Sequence, residues 1–376
     1  MYLTHLRLVN FRNHVRTEIE LGPHLNCFVG QNAQGKSSIL EAVEIAATGR
    51  SHRAARDTDL LHFGESWARV HTAARRQDRD VEVDVLWRTE MPAAGAKEIR
   101  VNGVPVRRGD LFGHVLIVAS TPHDQDVVTG APAHRRRLLD VVLSQISPAY
   151  FFLLLRYARA VEQRNRLLRD LAGAAIRERE TALEPWDEQL STMGAAITAR
   201  RVAMVRRLSQ AAREGYAYLA SDREALTIAY APSLPPGDET AMIVAARDAF
   251  ARRRRDELIR GTTLTGPHRD DLRMQIDGYD LRTFGSRGQH QAAMLALRLA
   301  ERKVLLEESG EEPVLLLDDA AQLLDEERQM RLMQLVERAQ TLLTLTTTAT
   351  LRRIPTETAV FKVAGGHVEP EHAHAT

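Results

Sequence analysis

The chain of 376 residues contains a single cysteine, Cys27, which excludes a fold stapled by disulfide bonds. It also lacks an apolar run of the roughly 20 residues that cross a bilayer, and Arg7, Asn10 and Arg12 interrupt the N-terminus where a signal peptide needs apolar residues. A formal net charge of +1 gives no overall attraction to nucleic acid, so such a partner must be argued from local groups of arginines. These absences predict a soluble cytoplasmic protein without a membrane partner.

Residues 30–37 fit G-x-x-x-x-G-K-[ST], a loop that binds phosphate groups. They are, in order, Gly30, Gln31, Asn32, Ala33, Gln34, Gly35, Lys36 and Ser37. An apolar run at 25–29 predicts a buried strand before the loop, and 38–43 predict a helix after it, which is the context the motif needs. Lys36 would reach the β- and γ-phosphates, and the Ser37 hydroxyl would ligate Mg²⁺. The sequence therefore predicts a nucleoside triphosphate site, with ATP and Mg²⁺ as cofactors.

Alternating apolar and polar residues predict strands around this loop. Residues 1–21 indicate two strands, and 67–71 and 81–87 indicate two more. Asn102 and Gly103, between short apolar runs, are the strongest hairpin signal in the chain. Antiparallel strands around the nucleotide strand would distinguish the domain from a plain doubly wound fold.

The middle of the chain changes character. Residues from about 132 to 260 are dense in arginine, leucine and alanine and predict helices, with a proline-containing loop at 231–238. Sheet character returns at 263–278. A helix at about 289–308 follows, with its charges in one narrow stripe, and 342–348 is a further strand candidate. The tail from Gly365 is expected to be frayed. We predict a mixed α/β head of residues 1–120 and 260–376, split by an all-helical lobe of residues 121–259.

An apolar run at 313–317 ends in Asp318 and Asp319, as expected for a buried parallel strand whose carboxyl end meets a ligand. Asp318 stands where a P-loop ATPase needs its Mg²⁺-ordering carboxylate, and Asp319 is placed to orient or deprotonate the attacking water. Lys36 and Asp318 are 282 positions apart (318 − 36), too far for one compact core, so the helical lobe must be an insertion. The alternative is an aspartate pair that caps the next helix.

Residues 285–289, Gly-Ser-Arg-Gly-Gln, resemble the Ser-x-Gly-Gln signature of ATP-binding-cassette ATPases. In that class the serine and the helix N-terminus complete the nucleotide site of a second subunit. The resemblance implies that Ser286, Gly288 and Gln289 bind ATP held by a partner copy, in an ATP-dependent head-to-tail homodimer. Taken alone, the segment would also fit a turn and a helix cap.

Segments along most of the chain resemble the RecF family of bacterial recombinational repair ATPases, of the ABC/SMC-like class. The matching segments are the loop at 30–37, residues 285–289, Asp318 with Asp319, and residues 10–13, 48–53, 101–103, 135–140, 143–148, 163–165 and 265–272. The resemblance implies an ABC-type ATPase head with an antiparallel β subdomain and roles in DNA replication, repair, recombination and the SOS response. It also implies a slow ATPase that binds single-stranded and double-stranded DNA at gap junctions and works with RecR and RecO to load recombinase.

The chain departs from the family pattern in four places. These are His123 within Pro-His-Asp, Gln322 with Leu323 after the two acids, Ala349 after Thr348, and Ser38 after Ser37. At these positions the chain lacks two acids and a serine that the family usually has around the γ-phosphate. Their loss should leave ATP binding intact but weaken ATP hydrolysis or the coupling of ATP binding to dimerisation. Because Asp318 and Asp319 remain, we favour a slow ATPase. The alternative is an ATP-binding DNA scaffold that dimerises without useful turnover. The inserted lobe argues against the ATPase subunit of a transporter.

Clusters of basic residues predict where DNA would bind. One is a stripe at helical spacing, in which the neutral Gln163 stands among Arg156, Arg159 and Arg166; the others are Arg135, Arg136 and Arg137, and residues 252–255. Such stripes are often only solvated faces, but the family resemblance favours phosphate contacts, which are independent of base sequence and sensitive to salt. Nothing in the chain indicates base readout, because it has neither a helix-turn-helix pattern nor zinc-ligand spacing.

Overall fold

The computed structural model describes residues 1–77, 79–90, 96–171, 173, 175–220, 224–319, 339–347 and 357–371. Gln322, Leu323, Thr348, Ala349 and the side chain of His123 lie outside the described part. The strands are β1 (Tyr2–Phe11), β2 (His14–Glu20), β3 (Leu25–Val29), β4 (Trp67–Arg75), β5 (Asp80–Arg88), β6 (Lys97–Val101), β7 (Val104–Pro105), β8 (Ile117–Ser120), β9 (Leu226–Ala231), β10 (Asp271–Ile276), β11 (Tyr279–Asp280), β12 (Val314–Leu317), β13 (Thr341–Leu345), β14 (Ala359–Ala364) and β15 (His367–Glu371). The helices are α1 (Lys36–Thr48), α2 (Arg108–Leu111), α3 (Gln125–Thr129), α4 (Pro132–Ile146), α5 (Pro148–Asp170), α6 (Ile176–Ala220), α7 (Glu239–Arg260), α8 (Leu281–Phe284) and α9 (Arg287–Ser309).

An antiparallel sheet of order β2-β1-β4-β5-β6-β7 forms one layer. Its strands alternate buried and exposed residues, because one face packs on α1 and the other faces solvent. The hairpin predicted at residues 101–104 is confirmed: Val101 pairs with Val104, and the turn residues Asn102 and Gly103 have φ angles of 49° and 77°. Positive φ at both positions is what a tight two-residue hairpin turn requires.

A second sheet, of order β15-β14-β3-β13-β12-β8, carries the nucleotide loop. The strands from β14 to β8 run parallel, and the predicted strand at 25–29 is confirmed as β3. β12 and β13 are buried throughout, because α1 and the antiparallel sheet cover one face and the helices of the lobe cover the other. The carboxyl ends of β3 and β12 therefore meet at one edge, with β13 between them.

The inserted lobe is not entirely helical. β9 lies within it and pairs antiparallel with β10, in a three-stranded sheet of order β11-β10-β9. α9 packs along α6 in the same hydrophobic core. A domain boundary at residue 260 thus separates two strands of one sheet, and residues 271–309 pack with the lobe. Among the described helices, none has the combination of length and apolar content that a bilayer crossing requires.

Two expectations from the sequence need correction. The charged stripe predicted on α9 is partly internal: Arg298 is paired with Asp124 at 2.8 Å and with Glu301 at 2.9 Å, and Glu301 is buried. The tail is not frayed at Gly365, because β15 pairs with β14 as far as Glu371. Ion pairing allows the charges of α9 to enter the core, and backbone pairing with β14 orders the tail as an edge strand.

Candidate nucleotide site

The loop of residues 30–37 joins β3 to α1 and packs tightly against Asn13, His14 and Gly366. Gly35 has a φ of 114°, and a Cβ atom there would lie 2.7 Å from Nε2 of His14, so only glycine fits. The main chain of Gln34 is held by two donors, the Asn13 side chain at 2.9 Å and the Gly366 N–H at 3.0 Å. The loop is therefore shaped before any ligand arrives.

Lys36 and Ser37 open α1 beneath this loop. The Lys36 ammonium is buried and donates to the carbonyl oxygens of Gly30 at 2.7 Å and Gln31 at 2.9 Å. Its nearest direct partners among the described residues are these two carbonyl oxygens, and the carboxylate of Asp319 interacts with it electrostatically from across the cavity. A phosphate group would provide the missing anion.

Asp318 lies at the end of β12, against the start of α1. Its Oδ1 accepts from the Ser37 hydroxyl at 2.9 Å and from the Thr344 hydroxyl at 2.8 Å. The side chains predicted as Mg²⁺ ligands, Ser37 and Asp318, are thus adjacent, although 281 positions separate them. Among the described residues, no three carboxylate, imidazole or thiol side chains are placed to hold a metal ion together, so phosphate oxygens and water would have to complete the coordination of a cation.

Asp319 follows Asp318 and turns away from the strand, with a φ of 52°. Its N–H donates to the Thr344 hydroxyl at 2.9 Å, which fixes the turn. Burial and the neighbouring charge of Asp318 raise the pKa of the Asp319 carboxyl, while Lys36 opposes this rise. The side chain lines the same cavity as Lys36 and Ser37, where it faces the space for a triphosphate.

Sequence reasoning found only part of the other wall of this cavity of about 630 Å³. Arg12, Arg53, His62 and Phe63 lie there, and Phe63 is 99% exposed. Nε and Nη2 of Arg12 donate to the Glu41 carboxylate of α1 at 3.0 and 2.7 Å, which holds the guanidinium beside the loop. Arg12 and Arg53 fall in segments 10–13 and 48–53, which carry part of the family resemblance. Nothing in the local sequence around Phe63 indicates a ligand.

The signature residues lie at the N-terminus of α9. Ser286 caps the helix: its Oγ accepts from the Gln289 N–H at 3.2 Å, and Oε1 of Gln289 accepts from the Ser286 N–H at 2.8 Å. Of the described residues that line the P-loop cavity, none belongs to 285–289. Arg287, the neighbour of Ser286 and Gly288, instead lines a second cavity, together with Asp318.

The predicted DNA contacts differ in their exposure. Arg135 is buried, and its guanidinium donates to the Asp271 carboxylate at 2.6 and 3.0 Å and to the carbonyl oxygens of Val127 and Gly130. The expectation of a phosphate contact at Arg135 is therefore corrected, because its donors are used inside the protein. Arg136 is half-buried. The exposed members are Arg137, Arg156, Arg159 and Arg166.

Comparison with known proteins agrees with this architecture. A family model described as the RecF/RecN/SMC N terminal domain matches residues 2–368. A protein of Symbiobacterium thermophilum named DNA replication and repair protein RecF is 39% identical over 98% of each chain, and one of Shouchella clausii with the same name is 35% identical over 98% of this chain and 99% of its own.

Solved structures give the same result. One described as the recombination mediator protein RecF-ATP in the RecFOR pathway has a TM-score of 0.90 and 31% identity, covering 99% of this chain and 98% of that chain. An Smc head domain from Pyrococcus furiosus, at a TM-score of 0.57 and 16% identity over 98% of this chain and 96% of that one, shares the fold alone. The chain therefore belongs to the RecF family of DNA replication and repair proteins.

Proposed function

We propose that this chain binds ATP with Mg²⁺ at the P-loop and acts as an ATP-gated DNA repair protein. The observation that carries the proposal is the contact of the Ser37 hydroxyl with Asp318 beside the buried Lys36 ammonium. Bound Mg²⁺ would be held by Ser37 and Asp318 and would neutralise charge on the phosphate oxygens. Lys36 would replace its two carbonyl partners with phosphate oxygens. Asp319 would hold the attacking water or take its proton.

The base of the nucleotide would lie towards the wall formed by Phe63. A fully exposed aromatic ring beside a phosphate loop offers a flat apolar surface for stacking. We expect Phe63→Ala to weaken ATP binding by about tenfold, in line with the loss of one stacking contact. Titration with a fluorescent ATP analogue measures this change, and equal affinities of the variant and the native chain would contradict the stacking role.

We propose that the site is completed by a second copy in head-to-tail orientation. Ser286, Gly288 and Gln289 form a capped helix N-terminus, whose partial positive charge suits a γ-phosphate. Their absence from the lining of the P-loop cavity of the same chain supports an arrangement in trans. ATP would then link two protomers, and the dimer would hold single-stranded or double-stranded DNA at gaps, with RecR and RecO as partners in recombinase loading.

Light scattering with and without ATP and Mg²⁺ tests this proposal. We expect a monomer without nucleotide and a dimer with ATP, while Lys36→Met stays monomeric because it loses the ammonium. Lys303→Met is the matched control, since it removes an exposed ammonium on α9 that does not line the P-loop cavity. A native chain that stays monomeric at saturating ATP would contradict the shared site.

A hydrolysis-impaired scaffold is the second candidate, and the departures at Gln322, Leu323 and Ala349 favour it. Phosphate release with and without DNA distinguishes the two. A slow ATPase predicts release that exceeds the rate of an Asp319→Asn variant and rises with DNA. If the two proteins release phosphate equally slowly but the native chain still dimerises, the scaffold is the correct function.

A further inference from the structure

β9 is the outer strand of the three-stranded sheet, and among the described strands none pairs with its outer edge. The Asp277 N–H donates to the Ala225 carbonyl at 3.1 Å, so Ala225 directs its backbone groups towards β10. Alternation along an antiparallel pair then directs the backbone groups of Leu226, Ile228 and Tyr230 away from β10. The edge therefore presents N–H and C=O groups at the spacing of a strand partner.

A groove of about 540 Å³ runs beside this edge. Its other wall is one face of α6, with the apolar residues Val202 and Val205 followed by Ser209. The Ile228 N–H donates to Oγ of Ser209 at 3.3 Å, a longer bond than is usual for an N–H donor. A rotation of the Ser209 side chain would release this N–H to an incoming carbonyl oxygen.

The charge of the groove has one sign. Arg206 and Arg213, which lie along the same face of α6, are exposed, and neither forms an ion pair with a carboxylate among the described residues. Arg207, between them in sequence, faces elsewhere and pairs with Glu307 at 2.9 Å. Two free guanidinium groups beside an open strand edge select for carboxylates.

We propose that the β9 edge and this face of α6 bind an extended acidic segment of a partner protein, which adds a strand to the sheet. Its backbone would pair with Leu226, Ile228 and Tyr230. The side chains on the face of the strand towards α6 would place carboxylates at Arg206 and Arg213 and a small apolar group against Val202 and Val205. β9 has six residues, so the segment spans about 20 Å. This surface goes beyond the ATP and DNA functions and does not depend on them.

The strand edge favours a peptide over nucleic acid. Phosphate groups would satisfy the arginines, but they cannot pair with alternating N–H and C=O groups at the spacing of a β-strand. The apolar floor at Val202 and Val205 also fits aliphatic side chains. A binding experiment must therefore separate charge from backbone pairing.

The test uses fluorescence anisotropy of a labelled hexapeptide that carries glutamate, valine and glutamate on one face of the strand and threonine on the other. We expect the native chain to bind it, and the double variant Arg206→Glu with Arg213→Glu to bind about tenfold more weakly, as does a peptide with lysine in place of glutamate. The same peptide N-methylated at alternate amides keeps its charge but loses strand pairing, and we expect it to bind about tenfold more weakly too. Binding should also slow amide hydrogen exchange in residues 224–231.

The matched control is Arg156→Glu with Arg159→Glu, which reverses the same number of charges on α5 and should leave peptide affinity unchanged. Failure of the peptide to bind, equal binding by the Arg206 and Arg213 variant, or equal binding of the N-methylated peptide would each overturn the proposal. If the native chain does not bind the peptide and the Arg206→Glu with Arg213→Glu variant loses binding of oligothymidylate, the groove is instead a nucleic-acid surface. ATP-dependent light scattering of the variant should match the native chain, so failure here is distinguishable from failure of the proposed function.

Discussion

Arg164 shows how a single charged side chain can organise the lobe from the inside. Its guanidinium is fully buried and donates to Asp187 at 2.8 Å, to Glu257 at 2.6 Å and to the Thr263 hydroxyl at 2.9 Å. It also lies 4.6 Å from the ring centroid of Phe250. α5, α6 and α7 thus meet at one arginine, and the residue is structural although its neighbours in sequence had suggested only a DNA-facing stripe.

We predict that Arg164→Met lowers the free energy of unfolding by about 3–5 kcal/mol, because it leaves the buried Glu257 carboxylate without its cation. Urea unfolding followed by circular dichroism measures the loss. Adding Glu257→Gln to this variant should recover part of it, whereas Arg166→Met, at an exposed position on the same helix, should change stability by less than about 0.5 kcal/mol. Equal effects at Arg164 and Arg166 would contradict the network.

His268 makes the stability of the folded chain decrease as the pH falls. Burial lowers its pKa to about 4, and the neutral ring donates from Nε2 to the Thr263 carbonyl and accepts at Nδ1 from the Tyr157 hydroxyl. The unfolded chain, with a histidine pKa near 6.5, binds the proton first as pH falls, so the stabilisation is complete above about pH 6.5 and is lost between about pH 6.5 and 4.

The comparison is with His268→Gln, whose amide can make both hydrogen bonds without titrating. We predict that the native chain loses stability relative to this variant by about 1.4 kcal/mol per pH unit below 6.5, reaching on the order of 3 kcal/mol. Burial raises the pKa of Glu301 to about 7, which acts in the opposite direction, but it does so in both proteins and cancels in the difference. Parallel stability curves from pH 7 to 5 would refute the assignment of a neutral buried ring.

At the scale of elements, α9 carries the proposed signature half of the ATP site and packs into the core of its own chain. Its N-terminus carries the Ser286 capping box, and at its middle Arg298 pairs with Asp124, which follows β8. The capping pattern was recognised in the sequence, but the pairing of Arg298 was not, because Asp124 is 174 positions away in the chain. Ser286 therefore has a structural role in addition to the proposed ligand role.

Two substitutions separate these roles. Ser286→Ala should cost about 1 kcal/mol in unfolding free energy and also prevent ATP-dependent dimerisation. Ser286→Asp keeps the helix cap and should retain native stability, but its charge would repel a γ-phosphate and prevent dimerisation. Urea unfolding and light scattering read the two effects. A Ser286→Asp variant that dimerises with ATP like the native chain would exclude the serine from the shared site.

At the scale of the molecule, one hydrophobic core runs from the parallel sheet into the helical lobe. Residues of β12 and β13 pack in the same cluster as those of α4, α6 and α9. A movement of the nucleotide loop would therefore be transmitted to the lobe through packed side chains. The exposed arginines on α5 of this lobe are the proposed DNA contacts. ATP binding and DNA binding would then be coupled through packing rather than through a flexible link.

We predict that Arg156→Glu with Arg159→Glu weakens DNA binding equally for unrelated base sequences and reduces the slope of log affinity against log salt by about 2, one for each lost phosphate contact. Electrophoretic or anisotropy titrations across a salt series measure both. The Arg206→Glu and Arg213→Glu variant serves as the charge-matched control and should keep the native slope. An unchanged affinity and slope in the α5 variant would show that the stripe is only a solvated face.

The sequence by itself determined the parts of this protein whose physics is local. The loop at 30–37 needs glycines for close approach, the turn at Asn102 and Gly103 needs positive φ, and the buried strand before Asp318 needs continuous apolar residues. Each is visible within a few neighbours, and the spacing of loop and acids was enough to indicate the inserted lobe.

Only the tertiary structure decided which of the remaining side chains are inside and what meets them. Arg135 and Arg164 look like surface cations in a helical pattern, but carboxylates from distant segments make their burial favourable. β9 escaped detection because six residues inside a helix-rich stretch gain strand character only by pairing with β10. The contact of Ser37 with Asp318 and the open edge of β9 depend on how distant segments of the chain fold onto one another. No local sequence pattern contains that information.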